Sequence, residues 1–372
     1  MAPDCIRNNA FLILLACLLC LPGCAPTKYV MQVDPVYPAG SSAPVFPAAP
    51  ATPRYRYAGK LVGESNFVAE GADKRAAGVK LFHWLVGLIG GNEEKIELKR
   101  PQSGAVDAQG RVYVTDIGSN AVFVFDQLVG KLLVWQQADK TQAFVTPIGI
   151  AIGADGQLLV ADAELGQVFR LDRDGKPLGS FGQGTLKRPT GLARDAQRGR
   201  IYVSDTHAHD VKVFNDDGRL LEVIGRRGEG DGELNFPTHL SFGGDKLYVS
   251  DSMNARVQIF DAQGKPAGKL GTRGLYVGNL TRPKGVAVDP SGNIYVVESF
   301  YDHLLVFNAQ GDFLLPIAGD GQKDGQFYLP AGVWSDATGR IYLADMFNGR
   351  IVIYQFLGGD QLASEPGLAP VP

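Results

Sequence analysis

Residues 189–225 read PTGLARDAQRGRIYVSDTHAHDVKVFNDDGRLLEVIG. A Pro-x-Gly corner opens the stretch, and an apolar run and a turn at Gly199 lead into Ile201-Tyr202-Val203-Ser204-Asp205. A second apolar run ends in Phe214, and Asp217-Gly218 turns the chain into Leu220 to Ile224. The pattern occurs six times, beginning at Pro101, Pro147, Pro189, Pro237, Pro283 and Pro330. The acid that closes each Tyr-Val-type run forms a column of Asp116, Asp162, Asp205, Asp251, Glu298 and Asp345, spaced 46, 43, 46, 47 and 47 residues apart. A period in the forties with about four short strands per unit fits a propeller blade and not a helical solenoid. The expected fold is all-β, a six-bladed β-propeller.

In each copy the inner strand should follow the Pro corner, and the second strand is the apolar-Tyr-Val run. The third strand ends at Phe125, Leu171, Phe214, Phe260, Phe307 or Tyr354. Asp174-Gly175, Asp217-Gly218 and Gln263-Gly264 then supply the positive φ of tight hairpins. Near-continuous apolar runs suit strands buried on both faces between neighbouring blades. The sixth copy lacks an outer strand: past 351–356 the chain meets Gly358-Gly359 and a polar tail, 360–372, that reads as disordered. The missing strand is expected at 55–63, YRYAGKLVG. Pairing the two ends would close the ring and remove an exposed edge, giving one propeller domain over 54–359.

Pro-x-Gly-apolar-Ala-x-Asp, followed by Gly-x-apolar-Tyr-Val-x-Asp and Val-x-apolar-Phe, resembles the NHL repeat of the NHL/TolB-like propellers. The resemblance spans 99–359 plus the closing strand. It implies a fold more than an activity, because NHL propellers include an amidating lyase, RNA binders, ligase-associated scaffolds and bacterial binding proteins.

All four cysteines, Cys5, Cys17, Cys20 and Cys24, fall at the start of the 372-residue chain. Arg7, an apolar stretch from Phe11 to Leu21, and Leu21-Pro22-Gly23-Cys24 give residues 1–23 the layout of an export signal too short to span a bilayer. The last four residues resemble the lipobox of bacterial lipoproteins, which implies cleavage before Cys24 and acylation of its thiol. Ala25 in place of Asp resembles the outer-membrane sorting signal. The expected location is exported and membrane-anchored, on the periplasmic face or in the outer membrane. Seven prolines in residues 25–53 make 24–53 an expected extended tether, reaching up to roughly 90 Å from the lipid. A net charge of −3 gives no reason to expect a nucleic-acid partner. The propeller is expected to be monomeric.

Residues shared by every blade are expected to be architecture, including the acid column, whose carboxylates can accept backbone N–H groups. The departures are the functional candidates. Two residues after the Pro, five copies carry Ser103, Gly149, Gly191, Gly285 and Gly332, whereas the fourth has His239. His239 should lie near the channel mouth, with His207 and His209 on the same face. A zinc centre resembling that of the amidating lyase would need further ligands, so His239 alone is a weak metal candidate. Lys99 and Arg100, Lys187 and Arg188, and Arg282 and Lys284 place cations at the first, third and fifth corners. Such a ring suits carboxylate or phosphate groups, or stands as solvated rim charge.

An apolar insertion at about 75–92, VKLFHWLVGLI at its centre, offers Phe82, Trp84, Leu85 and Leu88 as a helical plug on the propeller or as a partner or membrane contact. No nucleophile elbow, phosphate-binding loop or paired-Cys motif appears, so no cofactor is expected. Three functions are compatible with this pattern. One is a membrane-tethered binding or scaffold module for another envelope protein. The others are a metal-dependent lyase or hydrolase at the channel mouth, and a sensor of small anions.

Overall fold

The computed structural model describes residues 27–33, 42–70 and 95–358. Five sheets of four antiparallel strands follow one another along the chain, each in sequential order. In blade three the strands are Pro189–Asp195, Arg200–Asp205, Asp210–Asn215 and Leu220–Ile224. The sixth sheet is built from both ends of the fold: Val333–Ser335, Arg340–Asp345 and Arg350–Phe356 are completed by Tyr55–Leu61. Tyr55–Leu61 runs antiparallel to the third strand, with Leu61 opposite Ile351 and Tyr55 opposite Phe356. The inner strand of blade six in turn packs against that of blade one, which closes the ring.

The hydrophobic core is six cores, one between each pair of adjacent blades. Between blades three and four, Tyr202, Val213 and Ile224 meet Leu240, Val249 and Phe260. Between five and six, Tyr295 and Val306 meet Tyr57, Ile341 and Tyr354. Every aromatic or Leu at the end of a third strand is buried in one of these layers. Burial of roughly 25 cal/mol per Å2 of apolar area, repeated around a ring, substitutes for a single central core. It also explains why the second and third strands are apolar on both faces.

Two pieces of the segment expected as a tether are paired. Tyr29–Met31 runs antiparallel to Phe67–Ala69, and Val45–Phe46 adds a fifth strand outside Tyr55–Leu61. Met31 and Val33 pack on the layer between blades six and one, and Phe46 on that between five and six. A few apolar side chains spaced among prolines are enough to dock, since an outermost strand needs no donor on its free side. The tether reading of 24–53 therefore fails for these two pieces. Residues 1–23, Cys24, the insertion at 75–92 with Phe82, Trp84, Leu85 and Leu88, and the tail 360–372 lie outside the described residues.

Candidate functional site

The acid column holds the corners. Asp116 accepts the N–H groups of Lys99 (2.7 Å) and Arg100 (2.9 Å), Asp205 those of Lys187 and Arg188 (2.8 Å each), and Glu298 those of Thr281 (2.6 Å) and Arg282 (3.0 Å). The carboxylates thus act on the backbone just ahead of each Pro as well as on the loop behind them. By fixing that backbone they present the side chains of Arg100, Arg188 and Arg282 on one face, where the second strands also end.

In blades four and six the pattern bends. Phe236 and Leu329, just before their prolines, stand at φ 52° and 48°. The Phe236 amide donates to His209 Nδ1 (3.2 Å) and the Leu329 amide to Asp302 Oδ1 (2.7 Å), both from the preceding blade. His209 is therefore a buried acceptor. Burial first, then Arg227 and His207, lowers its pKa and keeps it neutral for that role. His207 is exposed on the same face, its ring 6.3 Å from that of Phe236. His303 lies on the third strand of blade five, with Nδ1 against the Tyr301 carbonyl. No group of three or more His, Cys, Asp or Glu side chains among the described residues could hold a metal ion.

The basic corners form no ring of free charge. Arg188 Nη1 lies 3.5 Å from Glu164 Oε2 of blade two. Arg100 lies over the ring of Phe347 at 5.7 Å and Arg282 over that of Phe300 at 5.8 Å, within the range of cation–π attraction. Around these pairs the same face carries Phe236, Met253, Phe300, Tyr328 and Phe347, between 37% and 58% exposed. They form a crescent over blades four to six. Tyr328 and Phe347 meet edge to face at 5.5 Å. Arg273 Nη2 donates to the Met253 carbonyl (2.8 Å) and ties in the loop that carries Leu275, Tyr276 and Val277, which are still more exposed. Sequence reading passed over this crescent. The signal was present two residues after each acid, in the column Gly118, Glu164, His207, Met253, Phe300, Phe347.

The channel is the second notable region. The small residues two after each Pro are required by close approach of neighbouring inner strands. A Cβ on Gly191 would stand 2.3 Å from the Thr238 carbonyl oxygen, and one on Gly332 2.3 Å from that of Gln102. His239 breaks this column and lies inside the channel, 8% exposed, lining an axial cavity of about 250 Å3. Neither ring nitrogen has a hydrogen-bond partner among the described residues. The backbones of Gln102, in blade one, and Lys284, in blade five, face the ring and favour its charged form. Burial dominates and, with the Lys284 ammonium beside it, lowers the His239 pKa to about 4.

Lys284 is half-buried and makes no ion pair among the described residues. Burial and then Arg282 lower its pKa. Trp334, 7% exposed, lines the same cavity, and its Nε1 also lacks a partner. Its signal was again a column: four residues after the Pro the copies read Ala105, Ala151, Ala193, Ser241, Ala287 and Trp334.

Residues 186–214 match the family model of the NHL repeat. The fold is similar to that of a gluconolactonase from Xanthomonas campestris, with a TM-score of 0.58 and 17% identity over 88% of this chain and 99% of that one. It is also similar to a streptogramin B lyase (TM-score 0.53, 14% identity, 70% and 95% covered). Virginiamycin B lyase from Staphylococcus aureus is a further structure of this shape (TM-score 0.51, 14% identity, 69% and 95% covered). At these identities the likeness is one of fold.

Proposed function

We propose, taking as premise a six-bladed β-propeller that carries an NHL repeat at residues 186–214, that this protein is a membrane-tethered binding module of the bacterial cell envelope. The observation that carries the reading is the crescent of half-exposed Phe236, Met253, Phe300, Tyr328 and Phe347, with the guanidiniums of Arg100 and Arg282 over two of its rings. Aromatic and Arg side chains are the residue types that anchor protein interfaces. A clustered apolar surface on an otherwise polar rim marks a contact site. The positive charge at its edge favours an acidic partner surface with apolar anchors. Leu21-Pro22-Gly23-Cys24 supports the tether, because several acyl chains on one residue hold a protein to a bilayer without a spanning helix.

The lyase and lactonase activities named for similar structures find less support. A metal-dependent reaction needs converging ligands, and the described histidines are divided among a corner, the rim, a third strand and the channel.

A photo-crosslinking residue placed at position 300 or 347 of the membrane-bound protein should trap one defined envelope protein. The same probe at position 174, on the opposite face, should trap none. Phe300→Asp with Phe347→Asp should abolish the product without lowering the melting temperature. Equal trapping from both faces would overturn the reading, and so would its persistence in the double variant. Cys24→Ser should release the protein from the membrane fraction.

A further inference from the structure

The hairpin turn between the third and fourth strands breaks the repeat in blade one. Blades two to five turn through Asp172-Arg173-Asp174-Gly175, Asn215-Asp216-Asp217-Gly218, Asp261-Ala262-Gln263-Gly264 and Asn308-Ala309-Gln310-Gly311. Blade one has Asp126-Gln127-Leu128-Val129-Gly130, one residue longer and with two large apolar side chains at its tip. Leu128 is 71% exposed and Val129 60%. The buried Asp126 pins the turn. Its Oδ1 accepts the amides of Leu128 (2.9 Å) and Val129 (3.1 Å), and its carbonyl accepts that of Gly130 (2.9 Å). The tip thus carries these amides already paired, which lowers the cost of entering an apolar medium.

This turn lies at the end of the blade opposite the crescent, because the third strand, Ala121–Asp126, starts beside the acid column and ends here. Tyr29–Met31 packs beside the outer strand of the same blade, Lys131–Trp135. Its first residue reaches the turn: a Cβ on Gly130 would clash with the Tyr29 carbonyl oxygen. Tyr29 is itself 48% exposed, so Tyr29, Leu128 and Val129 share one rim. Lys28 and Lys131, next to them in the chain, are also exposed. Cys24 is five residues from Tyr29. Five trans peptide steps span at most roughly 18 Å, about the length of one short strand.

We infer that the rim of blade one bearing Tyr29, Leu128 and Val129 rests on an anionic lipid bilayer, so that the crescent faces away from the membrane. The inference rests on the reading of Cys24 as the acylated residue. A lipid joined so few residues from Tyr29 holds this rim close to the headgroups. The side chains there match the layers of a bilayer surface. Leu128 and Val129 enter the acyl boundary, the Tyr29 phenol stays at headgroup depth, and the ammonium groups of Lys28 and Lys131 meet lipid phosphates. The four sister turns carry no large apolar residue, so the fold itself does not need Leu128 and Val129.

The test uses the protein purified from membranes and reconstituted into vesicles of phosphatidylethanolamine and phosphatidylglycerol. An environment-sensitive fluorophore is attached at Gln127→Cys or, on the crescent face, at Tyr276→Cys. On reconstitution the label at 127 should shift to the blue and lose intensity to a lipid-borne nitroxide, and the label at 276 should do neither. Leu128→Asp with Val129→Asp should abolish both effects at 127 without lowering the melting temperature, since both side chains are exposed in the fold. Protein held on vesicles through acylated Cys24 while the label at 127 stays solvated would overturn this inference and leave the tether standing. Absence of an acyl group on Cys24 by mass spectrometry would overturn both. Quenching at 276 in place of 127 would also overturn it. So would a label at 127 that is shielded from water yet out of reach of the lipid quencher, as docking of a second copy would give.

Discussion

The indole of Trp334 occupies the space that a side chain on Gly104 would take: a Cβ built on Gly104 would stand 2.2 Å from Trp334 Cζ2. Gly104 sits where the other copies carry Ile150, Leu192, Leu240, Val286 and Val333, and Trp334 sits where they carry Ala or Ser. Each departure compensates the other across the joint between blades six and one. Gly104→Val should overpack that joint and cost about 1–3 kcal/mol. Trp334→Ala should leave a cavity and cost about 3–5 kcal/mol. The double variant should lose less than the sum by about 1–3 kcal/mol, as read from denaturant midpoints. Simple additivity would contradict the coupling.

Arg350 Nε donates to Asp345 Oδ2 at 2.7 Å, and its two Nη groups donate to the carbonyls of Gln322, Lys323 and Gln326. Arg256 repeats the arrangement in blade four with Asp251 and the carbonyls of Glu229, Gly230 and Glu233. Both pairs are buried. Removing one partner strands a buried charge and several carbonyls. Arg350→Met and Arg256→Met should each destabilise by about 3–5 kcal/mol, measured by chemical denaturation. Arg226→Met, whose partner Glu233 it meets at an exposed site, should change stability by less than about 1 kcal/mol.

Ring closure rests on a strand contributed from the other end of the chain. Tyr55, Tyr57 and Leu61 are fully buried in two interblade layers. Deleting residues 54–64 should abolish cooperative melting by circular dichroism, because blade six would lose its outer strand and both layers would open to water. A deletion mutant that still melts cooperatively would contradict closure by this strand.

His239 gives stability a specific pH dependence. Its folded pKa of about 4 lies below the ordinary 6.5, so between those values the unfolded chain binds more protons. Its contribution is fully present above pH 6.5 and falls by up to about 3 kcal/mol as the pH drops to 4. Asp251 and Asp345 shift the other way, raised by burial, and oppose the trend in acid. The difference between wild type and His239→Gly isolates the histidine. The variant should show a flatter loss of stability from pH 6.5 to 4, measured by urea denaturation at each pH. Parallel curves would place the ring in a solvated setting.

Much of the fold was legible because a repeat states each packing requirement six times. The Pro corners, the Gly column, the apolar second and third strands and the acid at Asp205 or Glu298 each solve a problem that every blade has. Even the closing strand could be read, since a sixth copy without Leu220-type outer residues must find them elsewhere. The docked pieces at Tyr29–Met31 and Val45–Phe46 were hidden, because a handful of apolar residues does not move the composition of a Pro-rich stretch. His209 was noticed for its chemistry, yet its Nδ1 is an acceptor for the Phe236 amide one blade away.

By itself the sequence determined the architecture, the strand order, the closure of the ring and the positions where the repeat is broken. Only the tertiary structure decided what each break does. It turned Arg100 and Arg282 onto Phe347 and Phe300, paired Arg188 with Glu164, and brought His239 and Trp334 to one channel from two blades. The physical reason is range. Strand periodicity and turn chemistry act within one blade and are written locally. Burial, unpaired donors and the field of a neighbouring ammonium depend on residues about fifty to a hundred positions apart, which meet only when the ring closes.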